Sequence, residues 1–124
     1  MFTAEDVIST YTREQAIEDG VLIDVSPTAK EAGIKFPLAV TSAVWDEVIT
    51  PDKFAIQHGE SFSGRLWDVV WMLRIACKTH FGSLINYQLL VTRGGHKKMI
   101  TLKAVCGPGD NAEPTITIMF PEED

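Results

Sequence analysis

The side chains most able to do chemistry are few and scattered. The three histidines, His58, His80 and His96, form no H-x-x-x-H pair and stand at no zinc-finger distance from a cysteine. The two cysteines, Cys77 and Cys106, lie outside any C-x-x-C arrangement, and reduced thiols are the expected state. Cys106 precedes the Gly107-Pro108-Gly109 turn, a place where a reactive thiol would be displayed. His80 or His96 would then be its base and Asp110 the orienting carboxylate. No G-x-S-x-G or family-type cysteine signature surrounds them, and a small, soft residue closing a strand is the commoner meaning. The neighbouring carboxylates Glu18-Asp19 and Asp46-Glu47 point in different directions on a helix, which is poor geometry for shared acid–base work. Gly94-Gly95 lacks the spacing of a phosphate loop. No catalytic residue, metal ligand or cofactor is assigned.

Two constellations are candidates for binding. The first is the basic turn Arg93-Gly-Gly-His96-Lys97-Lys98, backed by Lys103 on the polar face of a strand. Such a hairpin can hold phosphate or an acidic protein surface, although charged turns commonly serve solubility alone. The second is Arg65–Trp67–Asp68–Trp71. Arg65 and Asp68, three apart, can pair on one helix face; if buried, they would tie the helix start to a neighbouring segment. Trp67 and Trp71 are expected to pack in the core.

The elements that must position these residues follow from periodicity and turn chemistry. Thr12–Gly20 predicts a short helix with a capping box between Thr12 and Gln15 and a glycine stop. Val21–Val25 predicts a strand, and Ser26–Gly33 a helix capped by Ser26 with Pro27 in its first turn. Phe36-Pro37 is extended, Thr41–Ile49 a further helix, and Thr50–Gly64 the longest loop. The central helix runs from Ser63 or Gly64 to Thr79, with Leu66, Val69, Val70, Leu73, Ala76 and Cys77 on one apolar face. After Gly82 the period becomes two. Leu84–Thr92, Met99–Val105 and Thr115–Phe120 then predict a three-stranded antiparallel meander. The expected fold is α+β: short N-terminal helices and a strand, one central amphipathic helix, and the C-terminal meander.

With 124 residues, 45% hydrophobic and 23% charged, the chain has the size and composition of one globular domain, 1–124. No apolar run is long enough to span a membrane. Met1–Asp6 lacks the basic and apolar regions of a signal peptide, so a soluble cytoplasmic protein is expected. The net charge of −6 is unevenly spread. Residues 63–105 carry seven bases and one acid, whereas residues 106–124 carry five acids and no base. The overall sign disfavours general nucleic-acid affinity and leaves the basic hairpin as the one place for it.

Tyr11–Ser26, Gly64–Met72, Thr101–Asp110 and Glu113–Met119 resemble a family of short uncharacterised bacterial proteins also found on plasmids and phages. The resemblance covers nearly the whole chain. It implies a bacterial or phage cytoplasm and names no activity, ligand or catalytic residue. The leading expectation is a non-enzymatic protein-binding module, with an inhibitor of a host defence complex as its specific form. A small enzyme using Cys106 or a histidine, and nucleic-acid binding through residues 93–103, are the alternatives. An open edge strand would favour a homodimer.

Overall fold

A computed structural model describes residues 11–80 and 82–123. The acidic start at Met1–Asp6 and the final Asp124 lie outside the described residues. Helix α1 (Arg13–Glu18) begins with the capping box read from the sequence: Thr12 Oγ1 accepts the Gln15 N–H, and Gln15 Oε1 accepts the Thr12 N–H. Strand β1 (Leu22–Asp24) follows, then α2 (Ser26–Glu31). Ser26 is not the cap of α2 but its first residue. Its hydroxyl donates to Asp24 Oδ1 at 2.6 Å and accepts the Leu38 N–H at 3.0 Å, fastening the chain on either side of the helix.

Two further expectations are corrected, and one strand has no counterpart among them. Leu38–Thr41 forms a strand, β2, with all four residues buried. The helix expected over Thr41–Ile49 is a short α-helical turn, α3 (Ser42–Val44), running into a π-helical turn over Trp45–Ile49. The expected long loop contains α4 (Lys53–Gln57), whose first turn is capped by Asp52 Oδ1 on the Ala55 N–H at 2.7 Å.

The central helix is α5 (Phe62–Ala76), capped by Ser61 on the Gly64 N–H. Val69, Val70 and Leu73 are fully buried, and each contributes roughly 1.5–3 kcal/mol of apolar burial. They pack with Leu38, Val48, Leu102 and Ile118 in one hydrophobic cluster.

The C-terminal strands are β3 (Leu84–Arg93), β4 (His96–Pro108) and β5 (Pro114–Met119). They pair antiparallel in sequence order, but they do not form a sheet by themselves. β5 also pairs parallel with β2, and β2 antiparallel with β1, giving a five-stranded mixed sheet of order β1-β2-β5-β4-β3. The fold is α+β, with five α-helices and that sheet among the described residues. Gly94 and Gly95, both at positive φ, close the β3–β4 hairpin in two residues. A Cβ on Gly95 would stand 3.2 Å from the Phe54 ring, so glycine lets α4 dock on the hairpin tip.

Candidate functional site

The predicted basic cluster is divided by the strands that carry it. Leu102 and Ala104 are buried, so alternation puts Lys98 and His96 on the helix-covered face of β4 and Lys97 and Lys103 on the other. Arg93, opposite His96 in register, belongs with the first pair. Lys103 lies at the far end of its face, where Nζ donates to the carbonyls of Pro121 and Glu123. At the tip, Asp52 Oδ2 accepts the Gly94 N–H at 2.9 Å. That bond, with the Ala55 N–H, holds the Asp52 carboxyl below its ordinary range, and Arg65 and Arg93 add to the effect.

Arg65 and Asp68 also part company. Arg65 is buried, 4% exposed. Its guanidinium donates to Val48 O at 3.1 Å and to Thr92 O at 2.6 Å, and pairs with Glu60 at 3.3 Å. Val48 O lies in the last turn of the π-helical segment, where carbonyls lack helical partners. Arg65 therefore joins that turn, α5 and the end of β3. Among the described residues Arg65–Glu60 is the one salt bridge, and Asp68 has no ionic partner. Burial, then the Glu60 carboxylate, hold the Asp68 carboxyl above its ordinary range, opposed by Arg65.

Trp67 and Trp71, expected in the core, are 36% and 40% exposed. Their rings stack with centroids 5.6 Å apart. Ile75, one turn further on, is also exposed, so α5 carries an apolar ridge opposite its buried face. Beside that ridge an open groove of about 490 Å³ is lined by Asp68, Trp71, Met72, Gln88, Leu89, Leu90 and Met99. Its floor is β3, the last strand of the sheet.

The hydrogen-bond parity of β3 follows from two contacts. The Cys106 N–H donates to Ser83 O, and Thr92 O is free to accept Arg65. In an antiparallel ladder the residues then alternate. Ile85, Tyr87, Leu89 and Val91 bond to β4, while the backbone N–H and C=O groups of Leu84, Asn86, Gln88 and Leu90 point off the sheet. This edge was missed because strand order cannot be read from periodicity.

The hypothetical thiol site is not assembled with its proposed carboxylate. Asp110 accepts the backbone N–H groups of Arg13 and Glu14 at 2.8 and 3.0 Å. His96 stands ten residues from Cys106 on the same strand, about 33 Å away. Burial raises the Cys77 thiol, opposed by Arg74. No three His, Cys, Asp or Glu among the described residues could hold a metal ion together. A second concavity, between α1 and β5, is lined by groups that already bond one another, including Arg13 with Thr117 and Thr41 with Glu123.

Fold and site together define a small α+β protein with a bare sheet edge beside an apolar groove. The chain belongs to a family of unknown function, DUF6573, whose model matches residues 1–124. No curated protein and no solved structure matches it. Among the described residues no helix is long and apolar enough to cross a membrane.

Proposed function

We propose that this chain is a non-enzymatic protein-binding module of a bacterial or phage-infected cytoplasm, which takes an extended segment of a partner protein as a sixth strand on β3. The observation that supports this reading is the ten-residue edge strand whose outward backbone groups lie beside the groove. Strand addition gains affinity from main-chain hydrogen bonds and specificity from pockets for alternate side chains. Both parts are present. Natural edges are usually blunted by charge, proline, bulges or short length, and Leu84–Thr92 contains no charged residue and no proline.

The test is hydrogen exchange on the full chain, free and bound to a partner purified with it from bacterial lysate. The amides of Asn86, Gln88 and Leu90 exchange fast in the free protein and become protected in the complex. Those of Ile85, Tyr87, Leu89 and Val91 are protected in both. A complex that leaves Asn86, Gln88 and Leu90 unprotected overturns the reading. A Cys106→Ser protein binds as the parent does; loss of binding would favour the thiol alternative.

A further inference from the structure

We infer that the β3 groove selects an extended partner segment carrying a lysine or arginine two residues from a large apolar side chain, the cation beside Asp68 and the apolar group against Trp71 and Met72. This rests on the strand-addition reading and specifies its partner.

The direction of α5 along β3 is set by two bonds. Arg65 reaches Thr92 O, and Tyr87 Oη donates to Val69 O at 3.0 Å. The helix therefore runs antiparallel to the strand, with Asp68 towards Leu90 and Met72 towards Gln88. A strand added to β3 would send every second side chain towards α5. Asp68 and Met72 are four residues apart, about 6 Å along a helix. Successive same-side residues of a strand are about 6.7 Å apart. One position of the added strand thus meets Asp68, and the next on that side meets Met72 and Trp71.

Charge decides what the first position holds. Asp68 has no ionic partner among the described residues; a smaller concavity next to the groove, which Asp68 also lines, holds Glu60 already paired with Arg65. Arg65 cannot leave to neutralise it, because its donors hold Val48 O and Thr92 O. A cation supplied from outside meets an unpaired carboxylate beside the bound backbone; an acidic side chain or a phosphate meets repulsion. A second copy of this chain fits poorly by the same criterion. The one cation of its own edge strand is Arg93, the last residue of β3, and antiparallel pairing of β3 with β3 along its length sets Arg93 at the Leu84 end, away from the Asp68 carboxylates near Leu90. The opposite side of the added strand would lie beside Gln88, Leu90 and Met99, with Leu90 and Met99 exposed, and sets no charge requirement.

The test is selection of random nine-residue segments, displayed on a carrier, against the full chain and its Asp68→Asn, Asp68→Lys and Gln88→Pro variants. The parent enriches segments with Lys or Arg two positions from an aliphatic or aromatic residue. A synthetic peptide of the leading segment binds Asp68→Asn about fivefold more weakly, and Asp68→Lys enriches Asp or Glu at the same position. Gln88→Pro, which removes an outward N–H without breaking the ladder to β4, loses the segments altogether. Segments that depend on Gln88 but show no cation preference, or a preference unchanged in Asp68→Asn, overturn this inference alone. Segments indifferent to Gln88→Pro, or no enrichment at all, overturn the strand-addition reading with it. The variants' circular dichroism confirms that each is folded.

Discussion

β1 and β3 both end the sheet, and they treat exposure differently. β1 is three residues long, and its flanks are tied by Ser42 N–H to Val21 O and Val25 N–H to Leu38 O. By the same alternation only Leu22 and Asp24 turn their backbone outward, and Asp24 is charged. Short length and charge are the ordinary protections of an edge. β3 has neither. It is ten residues long, uncharged through Thr92, and overlooked by a ridge of exposed tryptophan. On the proposed strand addition, the contact surface falls on the bare side.

The largest expected effect comes from removing the side chain that holds β3 to α5. Arg65→Ala leaves Val48 O and Thr92 O without a donor and Glu60 without its cation, costing about 3 kcal/mol in urea unfolding. Tyr87→Phe removes one buried hydrogen bond, to Val69 O, and costs about 1 kcal/mol by the same measurement. Burial lifts the Tyr87 hydroxyl far above its ordinary range, so its absorbance does not titrate until the protein unfolds in alkali. Trp71→Ala and Leu90→Lys sharpen the contrast between the edges: each changes stability by roughly 0.5 kcal/mol or less, yet each weakens partner binding at least tenfold, whereas Leu22→Lys leaves binding unchanged. Equal losses from both edges would erase the distinction.

The smallest effect is at the hairpin tip. The folded Asp52 carboxyl lies below its unfolded value, so its contribution is full above the ordinary aspartate range and is lost as pH falls through the lowered folded value. Asp52→Asn should speed exchange of the Gly94 amide at neutral pH and remove its acid dependence, with little change in global stability.

The sequence was most legible where the signal is local. Thr12 and Gln15 cap α1 as their spacing requires, and the apolar face of α5 is the one its three- and four-residue spacing marks. The alternation of β3 and β4 separates Tyr87, Leu89 and Leu102 from Gln88 and Thr101 correctly, but β5 is buried on both faces, Thr115 and Met119 included. What failed depends on neighbours distant in the chain. Leu38–Thr41 is covered on both faces, between β1 and β5, so it has no alternation to detect. Asp52 was a readable cap, but five helical residues are too few for a periodic pattern. Tryptophan usually packs in a core, so the sequence points Trp67 and Trp71 inward; only the packing of α5 turns them outward. Of the candidate site, Arg65 and Asp68 allow two readings in the sequence, a pair on one helix face or a buried tie from the helix start to a neighbouring segment, and Arg65 follows the second. Their separate environments are created by Glu60, Val48 and Thr92, which spacing cannot bring together.

The parallel pairing of β2 with β5 also governs how the chain comes together. Leu38 is in register with Ile116, 78 residues later, and Arg13 bonds Thr117 and Ile116 across an even longer span. On a ribosome, the first half of the molecule has no complete sheet to join until its last strand has emerged. Contacts of such sequence separation slow folding, because loop closure precedes their reward. The nascent chain therefore carries the apolar β2 with β1 on one side but without its β5 neighbour until the strand 78 residues later has been made, an interval in which an unpaired apolar strand is open to wrong association.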